Sequence, residues 1–275
     1  MKGPIMPIEK CLLCHQKKEL QDSHFIGKAV YRRLGEDSLK NPFPVLLGSG
    51  GTMRQSSNQM RDYVFCSDCE QIFNLQGEGW VHGRVATATG FPLFDSLKAY
   101  KPVFAENDYA VYDARAISEW DCAKLLHYGA GIFFKAAVHE WESEGDKISI
   151  NLGPDLDELR RFVLGEGPFP ADMALSISIA GNANPLLGTV SPVPVGADGF
   201  KQFQFYVPGI MYTFQVGKAI PADTHAMAFS SPKIKVVFVR DVSEQAKHFL
   251  RSLQPDKAQA DRIIKSFAPA KKAKI

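Results

Sequence analysis

Four of the five cysteines form two Cys-x-x-Cys pairs, Cys11 with Cys14 and Cys66 with Cys69. Zinc prefers four tetrahedral ligands, and thiolates supply them without redox chemistry at the metal. Two such turns complete the coordination shell and leave no open position, so the ion supports folding and performs no chemistry. We therefore expect one structural Zn²⁺ on all four cysteines, with the long segment between Cys14 and Cys66 looping out.

Other uses of the cysteines fit the sequence less well. A secreted disulfide framework has denser cysteines in a shorter chain than these 275 residues. A redox-active dithiol of the thioredoxin type needs a βαβ context, which the pattern around these pairs does not show. His15 follows Cys14 and is an alternative ligand, although we expect it to face solvent. Cys122 lies in an apolar helical pattern and is interpreted as a small buried hydrophobic residue rather than a reactive thiol.

Composition limits the function classes. Hydrophobic residues make up 45% of the chain and the formal net charge is +2, which predicts a globular core. Such a small net charge does not by itself indicate a nucleic-acid-binding protein, so any phosphate contact needs a local basic patch. No stretch of about 18 apolar residues is present, and nothing at the N-terminus resembles a signal peptide. Together with reduced cysteines, these features predict a cytoplasmic protein without a membrane partner; they do not indicate its oligomeric state.

The hydrophobic pattern predicts an α+β fold in three zones: 1–80 with both cysteine pairs, a connector at 81–112, and an α+β domain at 113–275. In the first zone, Asp22 and Ser23 are expected to cap a helix over 25–34, and a strand at 63–65 leads into a helix over 66–73. The spacing of apolar residues also predicts the later helices and strands. Helices are predicted at 116–141, 152–164, 242–253 and 256–267, and strands at 175–179, 203–207, 211–216 and 234–239.

Three segments together resemble a known family: Cys11-Leu-Leu-Cys14, Asp22-Ser23-His24-Phe25-Ile26 and Phe65-Cys66-Ser67-Asp68-Cys69-Glu70. They are similar to the zinc-stapled branch of the HNH nucleases. In that branch a CxxC knuckle, a strand bearing the histidine and a helix opened by a second CxxC form a treble-clef, or ββα-metal, module. The resemblance covers about the first 80 residues. The third zone, mainly 120–141 and 151–160, is similar to uncharacterised bacterial proteins with the same N-terminal module, and brings no known activity.

The resemblance implies roles for particular residues. His24 matches the general base that deprotonates the attacking water, while Glu70 and Asn58 are the candidates to hold a catalytic Mg²⁺ or Mn²⁺. Asp22 is a further candidate ligand, because the position just before the base carries Ser23, a poor ligand that departs from the family pattern. A basic group on the first helix would contact phosphate. This group consists of Lys28, Arg32 and Arg33.

Two functions remain open at this point. One is an HNH-like metal-dependent nuclease, or a degenerate relative that still binds DNA or RNA. The other is a non-enzymatic module with purely structural zinc, whose α+β domain binds a protein or a small molecule. In that case His24 is structural, and Glu70 is a solvent-facing residue of a first helical turn. The nuclease hypothesis requires His24, Glu70 and a third ligand-capable side chain to converge within about 5 Å.

Overall fold

The computed structural model describes residues 6–36, 45–47, 53–55, 59–143, 146–182, 185–196 and 199–242. The predicted α+β class is confirmed, since helices alternate with largely antiparallel sheets. The strands are β1 (Ile8–Lys10), β2 (Lys17–His24), β3 (Val45–Leu47), β4 (Met53–Gln55), β5 (Arg61–Cys66), β6 (Phe104–Glu106), β7 (Tyr109–Asp113), β8 (Trp141–Ser143), β9 (Asp146–Ile148), β10 (Met173–Ala180), β11 (Val190–Val195), β12 (Lys201–Val207), β13 (Ile210–Val216) and β14 (Val236–Arg240). The helices are α1 (Lys28–Glu36), α2 (Ser67–Phe73), α3 (Gly79–His82), α4 (Pro92–Leu97), α5 (Cys122–Val138), α6 (Leu156–Leu164) and α7 (Ala222–Met227).

The cysteine-bearing zone is built on a three-stranded antiparallel sheet in the order β1-β2-β5. The predicted strand at 63–65 and the helix over 66–73 are confirmed as β5 and α2. A π-helical turn, Asn74–Glu78, continues α2 directly into α3. The chain from Ser67 to His82 is therefore one helical segment with a local widening, a feature that often accompanies functional sites.

The expectation that Asp22 and Ser23 cap a helix is wrong. Both residues lie within β2, where Ser23 pairs with Asp62 and His24 with Arg61 of β5. Ladder hydrogen bonds and the burial of Ser23 favour the strand here over the local capping preference of Asp and Ser. The helix begins only at Lys28, beyond a short turn.

A seven-stranded sheet forms the larger part of the fold, in the order β11-β12-β13-β10-β14-β7-β6. Neighbouring strands are antiparallel except β10 and β14, which are parallel. All four strands predicted in the third zone are confirmed, with ends shifted by one or a few residues. The strands β6 and β7, which fall in the predicted connector, extend this same sheet.

The long helix is shorter than predicted. Instead of spanning 116–141, α5 begins after Asp121, whose carboxylate accepts a hydrogen bond from the amide of Lys124, and it ends at Val138. His139 is extended and Trp141 starts β8, where its indole donates to the carbonyl of Lys135. At 152–164 a 3₁₀ turn precedes α6, which ends at Gly165 in the left-handed conformation. The helices expected after residue 242 lie outside the described residues.

Aromatic packing joins α5 to the cysteine-bearing zone. The ring of Phe65 lies 6.4 Å from those of Phe134 and Trp141, and Phe73 stacks on Phe134 at 6.5 Å. Arg160 of α6 also donates to the carbonyl of Leu13, within the first cysteine turn. One continuous hydrophobic core therefore fixes α5 and α6 against the elements that carry the candidate site. Within the described ranges, no helix has the length and apolar character needed to cross a bilayer.

Candidate metal centre and neighbouring cavity

The two cysteine pairs meet in space. The four sulfur atoms of Cys11, Cys14, Cys66 and Cys69 all lie within 4.8 Å of one another. Three of the residues are almost fully buried, and Cys14 is partly exposed. Four converging thiols at this spacing form a donor set that could hold a metal ion, and its all-sulfur chemistry suits zinc.

Backbone hydrogen bonds hold the two turns in place. In the first turn, the amide of His15 donates to the carbonyl of Cys11, and His15 itself adopts a left-handed φ of 61°. The amide of Leu12 donates to the carbonyl of Val64, which ties this turn to β5. The second pair lies at the junction of β5 and α2, and the amide of Cys66 points at the sulfur of Cys11 at 3.4 Å. Helix N-termini favour negative charge, which offsets part of the burial that raises the pKa of Cys66.

The pKa values of the cluster thiols are shifted in opposite directions. A hydrogen bond from Cys69 holds the pKa of the Cys11 thiol well below its ordinary value, and the same contact raises the pKa of Cys69. Burial also raises the pKa of Cys66, so without a cation Cys11 is the thiol of these three that ionises most readily. His15 is exposed and stands outside the group of four. Cys122 also lies outside it, and burial raises the pKa of its half-buried thiol, which disfavours a reactive thiolate.

A cavity of about 370 Å³ has Glu70, the residue after Cys69, in its lining. It is bounded by the end of β2, the start of α1, the helix α2 and the π-helical turn. The polar residues that line it are His24, Lys28, Glu70, Gln71, Asn74 and Glu78. Since Glu70 directly follows Cys69 and β2 pairs with β5, the cysteine cluster anchors two of the four walls.

His24 and Glu70 both have perturbed acid–base properties in this cavity. Burial is the main cause that lowers the pKa of the His24 imidazole, so the ring is neutral at pH 7. Burial likewise raises the pKa of the Glu70 carboxyl. Its Oε1 atom is buried and has no hydrogen-bond partner among the described residues. A buried acceptor without a donor is a position where a cation or a donor from a ligand would be favourable.

Glu78 forms an ion pair with Lys135 beneath the cavity. The Nζ atom of Lys135 lies 2.6 Å from Oε1 of Glu78, and the two side chains are 1% and 14% exposed. Burial by itself would raise the pKa of Glu78, but Lys135 and, to a lesser extent, His82 outweigh it and lower that pKa. The carboxylate is therefore ionised at neutral pH.

Sequence reasoning missed both members of this pair. The signal for Glu78 was a polar residue at every fourth position of the helical segment, where Glu70, Asn74, Glu78 and His82 follow one another. The signal for Lys135 was a charge within the apolar stretch that became α5. A lysine inside such a stretch must be paired when it is buried.

The structure places the other candidate residues as follows. Lys28 lines the cavity and Arg32 is exposed on α1, whereas the side chain of Arg33 and the whole of Asn58 lie outside the described part. Asp22 is exposed and pairs with Arg61 at 2.8 Å. Across the described residues, the four cysteines are the only group of three or more His, Cys, Asp or Glu that could hold a metal ion. His24 and Glu70 thus line one cavity, but among the described His, Cys, Asp and Glu residues no third ligand converges with them, so this part of the nuclease hypothesis is not met.

Comparison with known proteins adds no assignment. No protein-family model, no curated protein and no solved structure matches this chain. Its function has to be argued from the cysteine cluster and the cavity alone.

Proposed function

We propose that this chain is a zinc-stapled, metal-dependent nuclease of HNH-like type, with its active site in the cavity between β2, α1 and α2. The observation that carries the proposal is the position of His24 and Glu70. They come from a strand and a helix that one cysteine cluster anchors, and they face the same 370 Å³ space. The treble-clef assignment belongs to this proposal.

His24 is the general base. Its ring is neutral at pH 7 because burial lowers its pKa, so a ring nitrogen is free to accept a proton from water. Lys28 borders the same cavity from the first turn of α1. Its ammonium and the helix amides there favour binding of a phosphate group. In this arrangement Lys28 orients a phosphodiester while His24 activates the water that attacks it.

Glu70 is the residue that would hold a divalent cation such as Mg²⁺ or Mn²⁺. Its Oε1 has no hydrogen-bond partner among the described residues and matches the preference of these ions for oxygen ligands, while Asn74 and Glu78 line the same cavity. When bound, such an ion neutralises charge on the phosphate and the leaving oxygen. Asn58, proposed as a further ligand, lies outside the described residues.

The proposed substrate is DNA or RNA, contacted by the basic side of α1. Lys28 and Arg32 are exposed on that helix, and Arg33 follows in sequence. Such contacts to phosphates are independent of base sequence and weaken as salt increases.

The test is cleavage of plasmid DNA and single-stranded RNA with Mg²⁺ or Mn²⁺, comparing the wild type with His24→Ala. His225→Ala, on α7 and away from the cavity lining, is the matched control. Zinc content is measured for each protein, so that loss of folding is not mistaken for loss of the base. We expect cleavage by the wild type and the control, and a loss of about a hundredfold or more in His24→Ala. Equal cleavage by all three would refute the role of His24.

A degenerate relative that binds nucleic acid without cleaving it is the second candidate. It is favoured because, among the described residues, no group of three or more His, Cys, Asp or Glu that could hold a metal ion includes His24 and Glu70. This candidate predicts salt-dependent binding of an oligonucleotide by an inactive wild type, with Lys28→Ala weakening the complex. A protein that neither cleaves nor binds nucleic acid would instead support a structural zinc module whose α+β part binds another partner.

A further inference from the structure

We infer that Lys135 is a positioning residue of the cavity, so that α5 of the larger sheet domain completes the site on the cysteine-bearing zone. The inference rests on the proposed function and adds to it a residue from a distant part of the chain. Lys135 does not line the cavity; it acts through Glu78 and through the main chain of His24.

The surroundings of Lys135 are unusual for a lysine. Its side chain is 1% exposed, and its neighbours on α5, Phe134 and Ala136, are fully buried. A buried ammonium is unfavourable unless charge and hydrogen bonds compensate it. An uncharged residue of similar length would fill this position with less desolvation, so the charge itself needs an explanation.

Three contacts connect the ammonium to three walls of the site. Its Nζ donates to Oε1 of Glu78 at 2.6 Å and to the carbonyl oxygen of His24 at 3.2 Å. It also lies 4.5 Å from the ring centroid of Phe73, at the end of α2. One side chain thus fixes the last residue of β2, the π-helical turn and the helix that carries Glu70.

Lys135 orients the carboxylate of Glu78 as well as keeping it ionised. With Oε1 held by Lys135, the second oxygen, Oε2, is directed toward Gly27 and the cavity. The hydrogen bond to the His24 carbonyl restrains the strand end from which the imidazole projects. Small displacements of reacting groups reduce rates strongly. Loss of this hydrogen bond should therefore lower the turnover number more than it weakens substrate binding.

A double-mutant cycle separates positioning from stability. The proteins are the wild type, Lys135→Met, Glu78→Gln and the double variant, with Lys124→Met on the exposed side of α5 as control. Turnover number and KM are measured on a fluorescent oligonucleotide below the melting temperature of every protein, and melting temperature is recorded separately.

We expect Lys135→Met to lower kcat by about tenfold to a hundredfold with little change in KM, and Lys124→Met to change neither. Lys135→Met should slow Glu78→Gln much less than it slows the wild type, because in Glu78→Gln only the hydrogen bond of Lys135 to the His24 carbonyl remains to be lost. The double variant should also melt above Lys135→Met, since no unpaired buried carboxylate remains.

The outcomes distinguish this inference from the proposed function. Cleavage by the wild type with unchanged kcat in folded Lys135→Met, or effects that simply multiply in the double variant, would overturn the positioning role alone. No cleavage by the wild type on any substrate that it binds would overturn the nuclease proposal and this inference with it.

Discussion

Replacement of one cluster cysteine should release the metal and destabilise the fold. At an effective dielectric constant of about 20, two thiolates within 4.8 Å repel by about 3 kcal/mol or more. Four ionised sulfurs form six such pairs. Their summed repulsion would exceed the net stability of a typical domain, which is about 5–15 kcal/mol. The observed geometry therefore needs a cation, or protons on most of the thiols.

Cys69→Ser tests this argument, with Cys122→Ser as the matched control. Cys69 is buried in the cluster, whereas Cys122 is half-buried and outside the cluster. Without the metal, the repulsion of at least one thiolate pair is no longer offset. The free energy of unfolding should therefore fall by at least about 3 kcal/mol. For a chain of this size that corresponds to a decrease in Tm of about 6–12 °C.

The assay is the zinc-to-protein ratio by elemental analysis, together with thermal unfolding under reducing conditions. We expect about one zinc per chain in the wild type and in Cys122→Ser, and substantially less in Cys69→Ser. A strong chelator should lower the Tm of the first two proteins toward that of the third. If Cys69→Ser retained a full zinc equivalent and melted together with the control, the reasoning from the sulfur geometry would be refuted.

Two further predictions concern the cavity. Gly27→Ala should destabilise the chain by about 1–3 kcal/mol and impair the site, because the added Cβ would lie 2.4 Å from Cε1 of His82. Gly196→Ala, where nothing lies within 4 Å, is the control in chemical denaturation, and equal stability of the two variants would contradict the packing argument. The cleavage rate should increase with pH to a plateau with its midpoint below 6.5, because burial lowers the pKa of His24 from that value and the base acts when neutral. A midpoint at or above 6.5 in single-turnover rates would contradict this assignment. The charged groups around His24 that enter this expectation are Asp22, Arg61, Lys28, Lys135, Glu70 and Glu78.

Local sequence patterns were sufficient for part of the fold. The strand and helix around the second cysteine pair follow from an apolar run that leads into Cys66, and β5 and α2 lie where they were predicted. The strands β10 and β12 were equally visible, because residues 175–179 and 203–207 alternate in the sequence. In the fold, β10 and its neighbour β13 are buried at nearly every position, so the alternation marks the strand without marking an exposed face. These signals are local, so no knowledge of the rest of the chain was needed.

Element ends were decided by longer-range contacts. Asp22 and Ser23 have strong capping preferences, yet pairing with β5 places them in a strand. The pattern of α5 continued to Trp141, but that residue instead begins β8 and pairs with Ile148 of β9. Propensities of about 1 kcal/mol per residue do not prevail over ladder hydrogen bonds and burial of an aromatic ring.

The sequence by itself determined the donor set of the candidate metal centre, because two CxxC turns supply four thiolates that suit zinc whatever the intervening chain does. The resemblance to the HNH family also singled out His24 and Glu70 as candidate site residues. Only the tertiary structure decided that both residues face one cavity and that Lys135 lies beneath it, bound to a glutamate 57 positions away. The physical reason is that a buried ammonium is tolerated only where the folded chain brings a carboxylate to it, and no local pattern records that pairing.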